Sequence, residues 1–240
     1  MAKFLGDRVI LIAGATGDLG SAVVREFATR SEARLALASR SGEQLDQLVR
    51  DGGLEQERTF LYPADVSDPE EVEDLVAAVV DHYGQLHVLL NTVGGWTGGD
   101  RVEDTSLEDW SRMMTLNLHT AFLLSRAVLP PLLEAGWGRI VHTGSKSALE
   151  PRSTVGAYAV SKMGLITLTE VIAAGLKDTG VTANVVLPST IDTPGNRLAM
   201  PSADFGRWVP PDHIAATMHF LCSDAAASIN GARIPVYGAA

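Results

Sequence analysis

Cysteine and charged residues are both scarce in this sequence of 240 residues. The single cysteine, Cys222, excludes an intrachain disulfide, and its apolar neighbours predict a buried, unreactive thiol. A lone thiol is compatible with a reducing compartment, so we expect a cytoplasmic protein. Charged residues make up only 20% of the chain and the net charge is −10. We therefore expect no basic face of the kind that binds nucleic acid.

Long hydrophobic runs are also missing near the start of the sequence. The apolar run Val9–Ala13 is too short for a signal-peptide core or a membrane span, so we expect no membrane partner. The six histidines show no ligand-like grouping, so we expect no metal site. Apolar residues nevertheless make up 46% of the chain, which is enough for a large buried core.

What the sequence does contain is a regular alternation of β-branched runs and amphipathic stretches. The predicted strands are Val9–Ala13, Arg34–Ala38, Thr59–Tyr62, Leu86–Asn91, Arg139–Thr143, Thr182–Leu187 and Arg233–Val236. The predicted helices are Leu19–Arg30, Gly42–Asp51, Pro69–Tyr83, Leu107–Glu134, Gly156–Lys177 and Asp212–Ser223. This order predicts one α/β domain over residues 1–240, a Rossmann-like, doubly wound parallel sheet of about seven strands with helices on both faces.

A glycine-rich turn follows the first predicted strand and leads into the first helix. Its candidate cofactor-binding residues are Gly14, Thr16, Gly17, Asp18, Leu19 and Gly20. Glycines at this place let the backbone approach a pyrophosphate, and the N–H groups of the helix N-terminus can bind the phosphates. An acid beside a pyrophosphate would repel it, so we expect the Asp18 side chain to cap the helix instead. The alternative is a tight structural turn without a ligand.

The end of the second predicted strand indicates which dinucleotide binds. A carboxylate here would bind a free ribose 2′-hydroxyl, but this chain has Ser39 followed by Arg40, whose guanidinium can pair with a 2′-phosphate. We therefore expect NADP(H) as the preferred cofactor and NAD(H) as the alternative. The alternative is that Arg40 is an ordinary solvated surface residue, in which case the preference would be lost.

Six motifs in the expected order resemble those of the short-chain dehydrogenase/reductase family over nearly the whole chain. They are the glycine turn, Asp65 with Val66, Asn91 to Gly94, Asn117, Ser145 with Tyr158-x-x-x-Lys162, and Pro188 to Thr193. The resemblance implies adenine contacts from Asp65 and Val66 and further cofactor contacts from Asn91, Gly94, Tyr158, Lys162, Pro188, Ile191 and Thr193. It also implies a catalytic set of Asn117, Ser145, Tyr158 and Lys162.

The chemistry of these side chains supports hydride transfer coupled to proton transfer. Tyr158 and Lys162 are four residues apart and share one face of a helix. We expect the ammonium to lower the pKa of the phenol, whose ordinary value is about 10, so that Tyr158 acts as general acid and base. Ser145 could stabilise charge on the substrate oxygen. Asn117 interrupts an apolar helical stretch, which predicts a buried hydrogen-bonding role.

Substrate contacts are expected from the long segment 188–211, which is a predicted substrate-binding lid. Two further loops, residues 94–99 and 146–152, are expected to contribute as well. The candidate side chains are Trp96, Lys146, Met200, Phe205 and Trp208, which suit a carbonyl or ring substrate. These segments locally resemble dihydropteridine reductases, although Ser145 and Ser39-Arg40 depart from that subgroup. We therefore expect carbonyl or alcohol chemistry, with quinonoid pterin reduction as the alternative. A non-catalytic NAD(P)-sensing protein is a more remote alternative. The resemblance also implies a homodimer or homotetramer.

Overall fold

The computed structural model describes residues 5–239, and its centre is a seven-stranded parallel sheet. The strands are β1 (Val9–Ala13), β2 (Arg34–Ser39), β3 (Thr59–Pro63), β4 (Val88–Asn91), β5 (Gly138–Thr143), β6 (Val181–Pro188) and β7 (Arg233–Val236). They lie in the order β3-β2-β1-β4-β5-β6-β7. The predicted fold class is confirmed. The chain order reverses direction at β1, where β4 pairs with its other edge, and such a switch point opens a crevice at the carboxyl ends of the strands.

Helices cover both faces of this sheet. They are α1 (Asp18–Arg30), α2 (Gly42–Gly52), α3 (Pro69–Tyr83), α4 (Leu107–Met114), α5 (Thr120–Glu134), α6 (Lys146–Leu149), α7 (Gly156–Gly175), α8 (Pro194–Ala199) and α9 (Pro211–Leu221). Helices α3, α5 and α7 pack with Val9 and Leu11 of β1 in one core layer. Helices α1, α2 and α9 pack with Ile10 and Ile12 in the other. Because side chains alternate along a strand, β1 supplies both layers and is fully buried.

Several predicted helix boundaries are confirmed by capping contacts. The Asp68 carboxylate accepts hydrogen bonds from the N–H groups of Glu70 and Glu71 at the start of α3. Ser106 Oγ accepts one from the N–H of Asp109 at the start of α4. These side chains satisfy N–H groups that have no partner within the helix.

Three local expectations are wrong. The Asp18 side chain does not cap α1, because the N-cap residue is Gly17 and no side chain caps that helix. The predicted helix Gly156–Lys177 is too long, because α7 stops at Gly175. The predicted helix Leu107–Glu134 is interrupted by a π-helical turn over Thr115–His119 that joins α4 to α5. Such turns insert one extra residue and are frequent at functional sites.

Helix α7 is long and apolar enough to cross a membrane by length and composition alone. The core helix of a soluble protein passes the same test. In this fold α7 lies on β6 and against the π-helical turn, and its Ser161, Lys162 and Thr169 side chains are buried. Part of its apolar surface is therefore used in packing within the domain.

Candidate active site

The predicted site residues gather at one edge of the sheet, where the carboxyl ends of the parallel strands lie. The glycine turn follows β1, Ser39 ends β2, Asn91 ends β4, Ser145 follows β5 by two residues and Pro188 ends β6. This placement follows from the parallel topology, because all six carboxyl ends from β1 to β6 point the same way. It is the edge at which open α/β sheets bind ligands.

The glycine turn after β1 has a shape that only glycine permits at two positions. Gly14 has φ +80°, in the left-handed region. A Cβ on Gly20 would lie 2.0 Å from the carbonyl oxygen of Gly14, so the helix can approach the turn only without a side chain there. Gly17 is exposed and provides no side-chain cap, while Asp18 is the first helical residue and is also exposed. The first-turn N–H groups of α1 therefore face the crevice uncapped and suit a phosphate.

The ends of β2 and β3 form the next part of the same edge. The hydroxyls of Thr16 and Ser39 share a hydrogen bond of 2.7 Å, which ties the glycine turn to the end of β2. Arg40 is exposed, and its charge helps to lower the pKa of Asp65, although hydrogen bonds from the N–H and hydroxyl of Ser67 are the larger causes. Val66 is buried beside Asp65. The edge therefore carries a guanidinium and a hydroxyl pair next to the phosphate turn.

Tyr158 and Ser145 are directly connected. The Ser145 hydroxyl and the Tyr158 phenol are hydrogen-bonded, and this contact lowers the pKa of Tyr158. Burial has the larger effect and raises that pKa above its ordinary value. Ser145 Oγ also accepts a hydrogen bond of 3.2 Å from the N–H of Ser147 as the N-cap of α6, which fixes its position. The expectation that the Lys162 ammonium lowers the pKa of Tyr158 is wrong for this arrangement, because burial raises that pKa and only the Ser145 hydrogen bond opposes the rise.

Lys162 is buried beneath the site, with only 4% of its surface exposed. Its Nζ donates a hydrogen bond of 2.7 Å to the carbonyl oxygen of Thr143 at the end of β5. Burial lowers the pKa of Lys162 to about 8, so the ammonium persists at neutral pH. The Thr143 contact was not predicted from the sequence, since a backbone carbonyl leaves no residue-type signal. It explains how a buried ammonium is held in place.

Asn117 lies in the π-helical turn and is 1% exposed, as its predicted hydrogen-bonding role requires. Its side chain pairs with the backbone of Gly95 in both directions: Oδ1 accepts from the Gly95 N–H at 3.0 Å, and Nδ2 donates to the Gly95 carbonyl at 3.1 Å. Nδ2 also donates to Ser161 Oγ on α7. A Cβ on the adjacent Gly94 would lie 3.0 Å from both Asn117 Oδ1 and Lys162 Nζ. The loop after β4 therefore rests directly on two candidate catalytic side chains.

Asn91 is buried at the end of β4 and bonded to its neighbours. Its Oδ1 accepts a hydrogen bond from the Val93 N–H, and its Nδ2 lies 3.2 Å from His142 Nδ1. His142 Nε2 lies 3.1 Å from Ser125 Oγ on α5. His142 is thus a packed, hydrogen-bonded histidine. Within residues 5–239, no group of three or more His, Cys, Asp or Glu residues could hold a metal ion.

The long segment after β6 is more ordered than a plain loop. Thr193 caps α8 by accepting a hydrogen bond of 3.1 Å from the Asn196 N–H, and Ile191 forms a parallel bridge with Val209. Pro188 is buried as the last residue of β6. These contacts hold the first half of the segment against the sheet.

The five candidate substrate side chains differ in exposure. Trp96 is 60% and Met200 is 40% exposed. Trp208 is buried and packs on Phe205, with ring centroids 4.8 Å apart, so it supports the segment from within. Lys146 lies 3.4 Å from Glu150 and over the ring of Tyr237. The structure therefore leaves Trp96 and Met200 as the accessible apolar side chains of this group.

These features define a dinucleotide-binding α/β enzyme fold, and comparisons with known proteins agree. Residues 8–202 match the family described as short chain dehydrogenase, so the chain belongs to that family of oxidoreductases, which bind NAD(P) and act on small molecules.

Curated relatives and solved structures cover nearly the whole chain. D-threitol dehydrogenase of Mycolicibacterium smegmatis is 32% identical over 98% of this chain and 93% of its own. Meso-2,3-butanediol dehydrogenase of Serratia marcescens is 33% identical over 98% and 94%. The structure of an actinorhodin polyketide ketoreductase variant with NADPH superposes with a TM-score of 0.88 at 28% identity, covering 97% of this chain and 96% of that one. A short-chain type dehydrogenase/reductase from Mycobacterium ulcerans shares the fold at 24% identity, with a TM-score of 0.91 over 98% and 90%.

The residues present fit a dinucleotide. The Gly14–Gly20 turn leaves helix N–H groups uncapped, and a side chain at Gly94 would occupy the space beside Lys162 and Asn117. The turn would hold the pyrophosphate, and the loop after β4 would lie beside the nicotinamide ribose.

Proposed function

We propose that this protein is an NADP(H)-dependent oxidoreductase that interconverts a carbonyl compound and its alcohol, with Tyr158 as the general acid and base. The observation that carries this proposal is the hydrogen bond between Ser145 and a Tyr158 phenol whose pKa is raised by burial, one helical turn from the buried Lys162. A phenol in this state remains protonated at neutral pH and can donate its proton.

In the direction of reduction, each side chain has a distinct task. The bound reduced nicotinamide supplies the hydride. The Tyr158 O–H donates its proton to the carbonyl oxygen, and the Ser145 hydroxyl donates a hydrogen bond to the same oxygen as negative charge develops there. The Lys162 ammonium, held by the Thr143 carbonyl, is assigned to binding the cofactor. Asn117 keeps the loop at Gly95 in place through its paired hydrogen bonds.

The preference for NADP(H) over NAD(H) rests on the edge formed by β2 and β3. Arg40 is exposed there, directly after Ser39, and can pair with a 2′-phosphate. No acid stands at the end of β2, where one would bind the free 2′-hydroxyl. The remaining cofactor contacts are assigned to the glycine turn, Asp65 and Val66, Asn91 and Gly94, and Pro188, Ile191 and Thr193.

The substrate class is inferred from the names of relatives and from the accessible surface. Threitol, butanediol and hydroxybutyrate, after which three relatives are named, all carry a secondary hydroxyl group. Trp96 and Met200 offer exposed apolar contacts, Phe205 is half-buried against Trp208, and Lys146 directly follows Ser145 in the sequence. We assign segment 188–211 to covering the substrate, within a single domain spanning residues 1–240. A small secondary alcohol or its ketone fits this combination best.

Assembly and location extend the same proposal. Apolar side chains on α5 and α7 are exposed, with Phe122 at 45%, Val160 at 47% and Val171 at 65%. Such surfaces suit a homodimer or homotetramer, which light scattering would reveal. A cytoplasmic location agrees with the single buried thiol.

The test is an assay of NADPH and NADH oxidation against small ketones, vicinal diketones and a quinonoid pterin. We expect turnover of at least one ketone with NADPH, a lower KM for NADPH than for NADH, and a loss of about 10²- to 10⁴-fold in kcat for Tyr158→Phe. The variant should bind NADPH with a nearly unchanged Kd. Full activity of Tyr158→Phe would refute the mechanism, and exclusive turnover of the pterin would replace the substrate class.

A further inference from the structure

A buried chain of hydrogen bonds links α5 to the loop that follows β4. The three side chains in it, Asn91, His142 and Ser125, are each no more than 2% exposed. Asn91 and His142 are paired neighbours on β4 and β5. None of these side chains is among those that the proposed mechanism uses for proton transfer, and two of them lie inside the core below the site.

The direction of each hydrogen bond in this chain can be assigned. Asn91 Oδ1 accepts from the Val93 N–H at 3.0 Å, so the amide Nδ2 faces His142 and donates to its Nδ1. His142 Nε2 then carries the proton and donates to Ser125 Oγ at 3.1 Å. Ser125 Oγ–H donates in turn to the carbonyl oxygen of Ala121 at 2.7 Å. Every ring and amide group in the chain therefore has the partner that its chemistry requires.

The His142 ring can accept a hydrogen bond from Asn91 and donate one to Ser125 only while it is neutral. Burial and, second, the nearby Lys162 charge lower the pKa of His142 to about 3. The ring therefore keeps one acceptor and one donor nitrogen over the whole physiological pH range. A protonated ring would present two donors and could not accept from Asn91.

The segment from Asn91 to Gly95 is thus held at both ends by side chains of α5 and of the π-helical turn that precedes it. Ser125 on α5 acts on Asn91 through His142, and Asn117 in the preceding π-helical turn bonds the backbone of Gly95. Between these two anchors lies Gly94, against Lys162 Nζ. Thr92 is bonded to the carbonyls of Ala13 and Gly14 as well, so loss of either anchor would loosen chiefly the part of the loop from Val93 to Gly95 that faces the ammonium.

We propose that His142 is a positioning residue for the hydride-transfer site, which fixes the loop from Asn91 to Gly95 by joining Asn91 to Ser125. This inference rests on the proposed function for its consequence in turnover. The attachment of this loop through Asn91, His142 and Ser125, here called the clamp, is a property of the fold and can be measured without any substrate.

Three variants and one control separate a positioning role from a general structural one. His142→Leu removes both ring contacts, whereas His142→Gln offers one acceptor and one donor on a similar reach. Ser125→Ala removes only the far end of the chain. Ser31→Ala is the matched control, because Ser31 is also buried and its hydroxyl bonds the carbonyl of the residue four before it, Phe27, at the end of α1.

The first readout is amide hydrogen exchange of residues 91–96 in the protein without added ligand, together with circular dichroism. We expect exchange to accelerate by about tenfold in His142→Leu and Ser125→Ala, and to stay within about threefold of wild type in His142→Gln and Ser31→Ala. The second readout is turnover and NADPH binding. We expect a roughly tenfold loss of kcat or of NADPH affinity in the first two variants and rescue in His142→Gln.

Unchanged exchange and turnover in Ser125→Ala and in a folded His142→Leu would overturn the proposal. If His142→Leu does not fold, Ser125→Ala decides the matter alone. If the wild type shows no turnover, the proposed function fails, but the exchange experiment still tests the clamp. Faster exchange with unchanged kcat and NADPH affinity would overturn the positioning role.

Discussion

Lys162 Nζ donates a 2.7 Å hydrogen bond to the carbonyl oxygen of Thr143, so a buried ammonium on α7 is tied to the end of the strand that leads to Ser145. This bond fixes the ammonium relative to Ser145, two residues further along. The arrangement is costly for folding. The lowering of the Lys162 pKa from 10.5 to about 8 corresponds to a free-energy penalty of roughly 3 kcal/mol on the charged form.

The first prediction concerns the removal of this charge. Lys162→Met keeps an unbranched side chain of similar length but takes away the buried ammonium. We expect kcat/KM to fall by at least about 10²-fold, because the site loses the buried cation assigned to the cofactor. The melting temperature should not fall by more than a few degrees, since the lost hydrogen bond is offset by the relief of desolvation.

Steady-state kinetics and thermal denaturation measured on the same preparation check this prediction. A variant with wild-type kcat/KM would contradict the role given to Lys162. A variant that is inactive because it is unfolded would be recognised by its circular dichroism, and Lys162→Arg would then replace it as the probe of position rather than charge.

The general fold could be predicted from the sequence because each strand is a short apolar run between helical patterns. The predicted bounds of Val9–Ala13 and Pro69–Tyr83 are those of β1 and α3. Others shift by one or two residues: β4 begins at Val88, whereas the apolar run begins at Leu86. Hydrophobic patterning records burial, and Leu86 is buried without belonging to the strand.

Features that depend on distant contacts could not be predicted. The π-helical turn at Asn117 is stabilised by Gly95, 22 residues away, and no local pattern encodes that pairing. The direction of the pKa shift of Tyr158 depends on how deeply the phenol is buried, which spacing alone does not give. The burial of Trp208 could not be predicted either: its side chain is packed within its own segment instead of exposed to a substrate.

Cofactor preference provides the second prediction. Arg40→Ala should raise the KM for NADPH by about 10- to 100-fold, because a charge-assisted pair with the 2′-phosphate is lost, and should leave the KM for NADH within about twofold. Arg50→Ala, another exposed arginine at the far end of α2, is the matched control and should change neither constant. Equal effects on NADPH and NADH would show that Arg40 has no role at the 2′-position.

The third prediction concerns pH and stability at His142. Its pKa is lowered from 6.5 in the unfolded chain to about 3 in the folded one, so the unfolded chain binds a proton first as the pH falls. This residue's contribution to stability is therefore lost progressively below pH 6.5. Between pH 7.5 and pH 5.5 the loss should be about 1.4 kcal/mol, and His142→Gln should not show it.

Urea unfolding gives the free energy of unfolding of wild type and of His142→Gln at pH 7.5 and at pH 5.5. The change between the two pH values in wild type, minus the change in His142→Gln, is the contribution of His142. Other groups, including His87, whose pKa burial lowers to about 4, titrate alike in both proteins and cancel. Parallel pH dependences of the two proteins would mean that His142 is not buried in the neutral state.

The last prediction tests the close approach of the β4 loop to the catalytic side chains. In Gly94→Ala the new Cβ would lie 3.0 Å from both Asn117 Oδ1 and Lys162 Nζ, which is tighter than ordinary contacts. The loop or the lysine must shift, so kcat/KM should fall by roughly 10- to 100-fold while the fold persists. Gly175→Ala at the end of α7 is the matched control, because its Cβ meets no atom within 4 Å. That control should keep full activity and gain up to about 1 kcal/mol of stability from its helical position. Equal kcat/KM for the two variants would show that the space beside Gly94 is not needed for catalysis.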